Sequence, residues 1–213
     1  MDLNNLKLET EEITIKGKKI KIFRPARLED IFQGDPFLDV EKFPFWSKIW
    51  EASVILADYI ATIEPPKKIL EIGAGLGLPS LVAASCGHEV IASDLEELAL
   101  KLLEYSAKEN SLNVKTILLD WRNPKLEEKF DIIMGAEVIF KKSLFEPLLN
   151  LFENYLRNGG EVLLSHSSER KRVLIPFLYQ AREKFDILTS IRKLKSEDET
   201  IEIVLNKLIF KKS

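Results

Sequence analysis

The sequence is poor in the residue types that build metal and thiol sites: its 213 residues include one cysteine and two histidines. Because Cys86 has no partner in the chain, an internal disulfide and a thiolate metal cluster are both excluded. Cys86 also lies in an alanine-rich segment that predicts a buried helix, which disfavours a catalytic thiol. His88 and His166 are far apart and have no cysteine pair nearby, so we predict core or surface roles for both and no metal site.

Long apolar runs and a surplus of positive charge are also missing. No apolar stretch approaches the roughly 18 residues that span a bilayer, and residues 1–10 lack the regions of a secretory signal. We therefore expect a cytoplasmic protein without a membrane partner. The net charge of −3 and the pI near 5.6 argue against a broad nucleic-acid-binding face, because such a face neutralises phosphates with Lys and Arg. A protein or small-molecule substrate fits better.

The bulk composition suits one α/β domain. Hydrophobic residues make up 46% of the chain and charged residues 31%, which is ordinary for a globular protein that buries a large core. No internal repeat, low-complexity tract or linker divides the chain. We therefore predict a domain over residues 46–213, preceded by an extension over residues 1–45. The oligomeric state stays open, with a monomer favoured.

The predicted extension contains two segments. Residues 12–24 alternate apolar and polar positions around Gly17, which predicts a β-hairpin outside the main sheet. One face of this hairpin carries four isoleucines, Ile13, Ile15, Ile20 and Ile22. Residues 33–44 follow neither the strand nor the helix period, which predicts an irregular connector. Its apolar Phe37 and Phe43 suggest a lid.

Strands and helices then alternate, which predicts a parallel sheet. An apolar stripe after Ser47, a candidate N-cap, predicts a helix that Pro65 stops and that flanks a ligand crevice. The next predicted elements are a strand over 68–72, a helix over 77–86, a strand over 89–93, a helix over 95–110, and strands over 114–119 and 130–135. Ser143 and Glu146 predict a capping box for a helix that the Gly159–Gly160 pair ends. The last predicted elements are a strand over 161–165, a helix over 169–184, and two antiparallel edge strands over 185–193 and 200–210 joined through 196–199.

The most informative segment is residues 68–79, an apolar run that leads into three glycines at alternate positions, Gly73, Gly75 and Gly77. Because glycine has no Cβ, such a turn can adopt positive φ and bring its backbone amides against a ligand. The dinucleotide-binding fingerprint requires its third glycine at the position of Leu78, so an NAD-dependent oxidoreductase is disfavoured. The plainer interpretation is a tight strand-to-helix loop without a ligand.

Two acidic residues accompany this turn. Glu71 lies two residues before the first glycine, and Asp94 ends the next apolar strand, as expected of a nucleoside-binding βαβ unit. The Asp94 carboxylate can accept hydrogen bonds from both hydroxyls of a ribose. The plainer interpretation makes Asp94 the N-cap of the following helix.

Glu71 together with the alternating glycines resembles motif I of the seven-stranded S-adenosylmethionine-dependent methyltransferases. The resemblance implies a Rossmann-like α/β fold, with a mostly parallel seven-stranded sheet, an antiparallel C-terminal strand and helices on both faces. It implies S-adenosylmethionine as cofactor and S-adenosylhomocysteine as product. By the same resemblance the glycine turn contacts the methionine moiety, Glu71 orders the turn or a bound water, and Asp94 binds the ribose.

The resemblance extends from about residue 46 to residue 166. Asp120 follows the predicted strand over 114–119, where relatives place an acid that contacts the amino group of adenine. The next residue, Trp121, either forms a wall of the site or belongs to the ordinary core. Trp50 belongs to a Trp-acid-Ala segment that lies beside the cofactor in relatives. The cofactor-binding residues that the resemblance implies are Trp50, Glu71, Gly73, Gly75, Gly77, Asp94, Leu95, Asp120, Trp121 and Ala136.

The residues at the end of the predicted strand over 130–135 suggest which chemical group accepts the methyl group. Residues 135–140 resemble the acid-x-x-Tyr/Phe signature of methyltransferase family sixteen, a branch of mostly protein lysine methyltransferases. Glu137 and Phe140 would then be catalytic residues that face the substrate amine, with Phe140 standing where this branch more often has Tyr. The plainer interpretations are a loop or N-cap carboxylate for Glu137 and a buried anchor for Phe140.

These residues lead to one main hypothesis and several alternatives. We expect a protein lysine N-methyltransferase, for which Glu137 orients the amine and no metal is required. A small-molecule N-methyltransferase and a catalytically silent, cofactor-binding regulatory protein stay open. The chain lacks the Asn/Asp-Pro-Pro-Tyr/Phe motif of glutamine and adenine methyltransferases, which lowers the rank of those substrates.

Overall fold

A seven-stranded sheet with helices on both faces organises the chain. The computed structural model describes Leu3, residues 6–195 and residues 200–211. The strands are β1 (Leu8–Ile15), β2 (Lys18–Pro25), β3 (Lys68–Ile72), β4 (Glu89–Asp94), β5 (Lys115–Leu118), β6 (Phe130–Ala136), β7 (Leu156–Ser167), β8 (Phe185–Lys195) and β9 (Thr200–Phe210). The α-helices are α1 (Glu51–Ile60), α2 (Leu78–Ser85), α3 (Glu97–Glu109), α4 (Phe145–Tyr155) and α5 (Lys171–Ala181).

The strand order of the main sheet is β5-β4-β3-β6-β7-β9-β8. Neighbouring strands are parallel from β5 to β7, whereas β9 runs antiparallel to both β7 and β8. The predicted Rossmann-like architecture with its antiparallel C-terminal strand is therefore confirmed. The order reverses between β3 and β6, which is where open α/β sheets bind their ligands.

Alternating side chains of the central strands bury both faces of the sheet. Ile69 of β3 packs in one core cluster with α1, α2 and α3. Its neighbour Leu70 packs in the other cluster with α4 and α5. Both faces of a parallel strand are covered in this way because each crossover helix returns over the sheet, so the strands form a rigid base for the loops at their ends.

The N-terminal hairpin forms as predicted and lies outside the main sheet, with Ile15 paired to Lys18. Lys16 and Gly17 both have positive φ, which a two-residue turn between twisted strands requires. Ile15, Ile20 and Ile22 are buried and Ile13 is partly buried.

Two predicted helix starts are wrong. Ser47 is not an N-cap: it lies in a short 3-10 turn and its hydroxyl donates to the carbonyl of Pro44 at 2.8 Å, so α1 begins four residues later, at Glu51. The predicted Ser143–Glu146 capping box is absent, because α4 begins at Phe145 and its cap, Leu144, makes no side-chain hydrogen bond. In both places local turn contacts replace the predicted cap.

Other boundaries differ by a few residues. Helix α4 ends at Tyr155 and not at the glycine pair, because Leu156 already pairs with Phe130 of β6. Gly159, with φ of +80°, lies inside β7 where the register shifts. Helix α2 is largely buried, as predicted, and Cys86 is its partly buried C-cap residue. The predicted connection over 196–199 lies outside the described residues.

No helix within the described residues is long and apolar enough to cross a membrane.

Hydrogen bonds connect the hairpin to the ends of α2 and α3 and to the side chain of Ser106 on α3. The amide of Phe23 donates to Ser106 Oγ at 3.0 Å, and the amide of Lys21 donates to Asn110 Oδ1 at 2.9 Å. The Lys18 ammonium group donates to the carbonyl of Ser85 at 2.8 Å. We propose that residues 1–45 are an extension that folds together with the domain over 46–213.

Replacement of Ile22 by alanine tests this proposal. Ile22 is fully buried against the helical layer, and deletion of such a side chain costs about 2–5 kcal/mol. We expect Ile22→Ala to lower the free energy of unfolding of the whole chain by this amount in urea titrations, with a single transition. Thr14→Ala, at an exposed strand position, is the control, and a loss of stability no larger than that of the control would contradict the proposal.

Candidate active site

A cavity of about 540 Å³ opens at the carboxyl ends of β3, β4, β5 and β6, where the strand order reverses. All twelve residues that the sequence singles out line it: Trp50, Glu71, Gly73, Gly75, Gly77, Asp94, Leu95, Asp120, Trp121, Ala136, Glu137 and Phe140. The structure thus brings together every residue of the predicted site. Their individual roles stay predictions.

The glycine turn between β3 and α2 has positive φ at Gly73, Gly75 and Gly77. A Cβ on Gly75 would lie 3.1 Å from the carbonyl oxygen of Trp46, and a Cβ on Gly77 would lie 2.2 Å from Leu103 Cδ1. Gly77 is therefore required for close packing against α3, in addition to the backbone conformation. This packing role did not follow from the sequence pattern.

Asp94 connects the end of β4 to this turn. Its Oδ2 accepts the amide of Gly75 at 2.8 Å and its Oδ1 accepts the amide of Glu96 at 3.0 Å. The N-cap of α3 is Glu96, so the alternative prediction for Asp94 is wrong. The carboxylate is 8% exposed, and burial raises the pKa of Asp94. Each oxygen keeps acceptor capacity for a ligand hydroxyl.

Glu71 faces the first turn of α2. Its Oε2 accepts the amide of Ser80 at 3.0 Å and also accepts the Ser80 hydroxyl. The side chain is 2% exposed, and desolvation raises the pKa of Glu71 to about 8. These contacts connect Glu71 to the first turn of the helix that follows the glycines. The role that the resemblance implies, ordering of the turn or of a bound water, stays a prediction.

The end of β5 supplies Asp120 and Trp121. Arg122 Nη2 lies 2.6 Å from Asp120 Oδ2, and this hydrogen bond lowers the pKa of the Asp120 carboxyl. Trp121 packs against the buried core and also lines the cavity, so both of its predicted roles apply. Its ring lies 3.2 Å from the position that a Cβ of Gly73 would take. The wall of the cavity formed by Trp121 and Gly73 is thus tightly packed.

Glu137 follows β6 in the left-handed region, with φ of +57°. Its amide donates to the carbonyl of Ser165 at 2.9 Å, and its Oε1 accepts the amide of Ser167 at 2.6 Å. Oε2 lies 3.2 Å from Arg170 Nε, yet it is buried and has no hydrogen bond among the described residues. Because α4 starts at Phe145, Glu137 is a loop carboxylate and not an N-cap.

Phe140 is 42% exposed and meets Trp121 edge to face, with ring centroids 6.4 Å apart. The alternative prediction of a buried anchor is therefore wrong. The exposed part of the ring faces the cavity that Glu137 also lines. An aromatic face and a carboxylate thus stand at the same end of the site.

The segment between the hairpin and α1 contributes to the wall of the cavity, whereas Phe37, one of the two residues on which the lid hypothesis rests, is 90% exposed and does not line it. Phe43, Phe45 and Lys48 line it, and Trp50 Nε1 donates to the carbonyl of Phe45 at 2.9 Å. Glu41 of this segment meets the Lys141 ammonium group at 2.7 Å. The apolar composition of the segment was the only signal in the sequence for this arrangement.

Arg170, which lines the cavity, was missed by the sequence analysis as a part of the site, and His166 takes the core role that was one of its two predicted possibilities. His166 is fully buried and its Nε2 accepts the amide of Ile139 at 3.0 Å. Desolvation lowers the pKa of His166 to about 3, so the imidazole is neutral. Arg170 lies beside Glu137 at the cavity wall. Arg170 falls within the predicted helix over residues 169–184, and the sequence contains no signal for its contact with Glu137.

The buried Glu71 carboxyl makes stability depend on pH. Its pKa rises from 4.5 to about 8 on folding, so the stabilisation is fully present below pH 4.5 and is lost as the pH rises through 8. We expect Glu71→Gln, which stays neutral, to gain stability relative to the wild type as the pH rises across this window. The gain would be up to about 1.4 kcal/mol per pH unit.

Urea unfolding at a series of pH values measures this difference. Glu146→Gln, at an exposed position on α4, is the matched control and should show no such trend. A stability difference between Glu71→Gln and the wild type that does not change with pH would contradict the assignment.

Comparisons with known proteins place this site in a family. The profile of the lysine methyltransferase family, methyltransferase family sixteen, matches residues 44–184. The human histone-arginine methyltransferase METTL23 is 37% identical over 111 residues, which cover 47% of this chain and 58% of that protein. The Candida albicans protein N-terminal and lysine N-methyltransferase EFM7 is 33% identical over 192 residues, covering 76% of this chain and 70% of that protein.

The chain spans about half the length of the METTL23 relatives that it matches. A solved structure of a TehB-like S-adenosylmethionine-dependent methyltransferase from Corynebacterium glutamicum superposes with a TM-score of 0.58 at 21% identity, over 78% of this chain and 90% of that one. This similarity supports the fold alone. From the matched family profile, this chain belongs to the lysine methyltransferase family of seven-stranded methyltransferases.

Proposed function

We propose that this protein transfers a methyl group from S-adenosylmethionine to a lysine side chain of a protein substrate. One observation carries the proposal: the glycine turn held by Asp94 and the residue Glu137, whose buried Oε2 makes no hydrogen bond within the described residues, line the same cavity. The first group suits a nucleoside, and the second suits an N–H donor. The family, and the lysine methyltransferase activity for which EFM7 is named, support the same assignment.

The residues of the cavity fit the cofactor. Its volume of about 540 Å³ lies in the range of small-molecule sites. Asp94 would accept the ribose hydroxyls, Asp120 the adenine amino group, and the amides of the glycine turn would face the methionine end. When bound, S-adenosylmethionine supplies an electrophilic methyl group on a sulfonium. Trp50, Leu95, Trp121 and Ala136 would then form the apolar walls that exclude water.

Glu137 and Phe140 would act on the acceptor amine. A lysine amine with a pKa near 10.4 is mostly protonated at neutral pH, so it must lose a proton before its lone pair can react. Glu137 Oε2 would accept a remaining N–H of the neutral amine and orient the lone pair. Phe140 would pack against the methylene stem of the lysine and contact its cationic form through the ring face. This chemistry rests mainly on positioning.

A protein acceptor is supported by the rim of the cavity. Four apolar side chains both line it and remain between 42% and 57% exposed: Val40, Phe45, Leu95 and Phe140. Such a partly exposed apolar rim suits a macromolecule that covers the mouth while one side chain enters. METTL23 and EFM7 are both named for protein substrates, although their acceptor groups differ.

Binding of S-adenosylhomocysteine to Asp94→Ala tests the cofactor site. Loss of the charged acceptor should weaken binding by about 1.5–3 kcal/mol in isothermal titration calorimetry. Asp186→Ala, which removes an exposed carboxylate on β8, should bind like the wild type. Thermal melts of both variants show whether the fold is kept, since Asp94 also holds Gly75. Unchanged affinity in a folded Asp94→Ala variant, or displacement of the ligand by NADH, would contradict the assignment.

Methyl labelling tests the acceptor. The wild-type protein, incubated with host lysate and cofactor carrying a tritiated methyl group, should label a protein band that yields methyl-lysine on hydrolysis. Glu137→Gln should reduce labelling at least about tenfold, because it removes the charge that orients the amine. Glu169→Gln, an exposed neighbour on the turn that carries Arg170, is the control.

Three other results would each reject a part of the proposal. Detection of methylated arginine or of a methylated N-terminus would support a protein substrate but reject lysine as the acceptor. Label confined to metabolites would indicate a small-molecule N-methyltransferase. Cofactor binding without any transfer would indicate a regulatory protein.

A further inference from the structure

The end of β7 holds the loop that carries Glu137. Ser165 accepts the Glu137 amide through its carbonyl, and the amide of Ser167 donates to Glu137 Oε1. His166 accepts the amide of Ile139. Three consecutive residues of one strand therefore fix both the backbone and one carboxylate oxygen of Glu137. The positive φ of Glu137, unusual for a residue with a side chain, is kept in place by these contacts.

The second carboxylate oxygen of Glu137, Oε2, has different surroundings. Oε2 of Glu137 is buried, has no hydrogen bond among the described residues, and faces the Arg170 guanidinium group at 3.2 Å. Two other titratable groups act on or near this carboxylate: Glu51 on α1, which opposes its ionisation, and the neutral His166 on β7. Among these groups, Arg170 alone favours the charged form of Glu137.

Burial opposes that charged form. Desolvation raises the pKa of Glu137, while Arg170 and the Ser167 amide lower it. A protonated Glu137 would lose one of its acceptor positions and could turn its O–H into the cavity. The ionisation that the proposed reaction requires is therefore favoured by the Ser167 amide and by Arg170.

We propose that Arg170 is a positioning residue that acts through Glu137: it lies beside Oε2, favours the ionised carboxylate and orients this oxygen, whose remaining lone pair accepts an N–H of the acceptor amine. This inference rests on the role proposed for Glu137. Arg170 is itself 43% exposed at the cavity wall, and partly exposed ion pairs contribute little to stability. Its removal should therefore affect the reaction more than the fold.

An NMR titration tests the inference without any turnover. Because the Ser167 amide lies 2.6 Å from Glu137 Oε1, its chemical shift should follow the ionisation of Glu137. We expect the midpoint to move to higher pH in Arg170→Gln, to move less in Arg170→Lys, and to stay in place in Lys171→Gln, the exposed neighbour. Glu137→Gln should abolish the step and so confirm its origin. An unchanged midpoint in Arg170→Gln would overturn the proposal.

Kinetics supply the second readout. Arg170→Gln should lower kcat about ten- to hundredfold at neutral pH, with recovery at higher pH, while affinity for S-adenosylhomocysteine stays within about twofold. Loss of cofactor affinity with unchanged kcat would overturn the positioning role. If the wild-type protein proves to have no lysine acceptor, the function proposed above fails, and the NMR midpoint still decides the role of Arg170.

Discussion

The hydrogen bond from the Gly75 amide to Asp94 Oδ2 joins the two halves of the proposed cofactor site. It connects the turn after β3 to the end of β4, so that the loop that would meet the methionine moiety and the residue that would meet the ribose form one unit. Burial of Asp94 strengthens the bond, because water does not compete for the carboxylate. Glu71 fixes the far side of the same turn through Ser80. Two buried carboxyl groups thus position a loop in which three of the five residues are glycines.

The end of the cavity at which the acceptor amine would bind is held in place by a different strand. Glu137 and Phe140 follow β6, whereas the groups that fix this loop lie at the end of β7, the next strand in the sheet. A parallel sheet places these strand ends side by side. The two ends of the cavity are therefore held by separate pairs of neighbouring strands, which allows changes at the acceptor end without loss of the turn. The relatives named for arginine, N-terminal and lysine substrates are in keeping with such a division.

Much of the fold could be predicted from the sequence, since glycine spacing, strand-ending acids and apolar periodicity are local signals. The twelve residues singled out as a site, several of them only through the family resemblance, all line one cavity. The predictions that were wrong concern competing local contacts. Ser47 bonds to Pro44 and does not cap α1, and the Gly159–Gly160 pair lies within β7 because strand pairing starts at Leu156. The contacts of His166 and Arg170 were missed because they cross from one strand end to another, about 30 residues away along the chain. No periodic pattern in a single sequence encodes such pairs.

The central claim is that the turn after β3 and Asp94 hold a sulfonium nucleoside with its methyl group directed towards Glu137. A crystal structure of the protein with S-adenosylhomocysteine tests it most directly. The account predicts ribose hydroxyls within hydrogen-bond distance of the Asp94 carboxylate, and the sulfur between the glycine turn and Glu137. A ligand bound elsewhere, or a cavity that stays empty at saturating ligand, would contradict it.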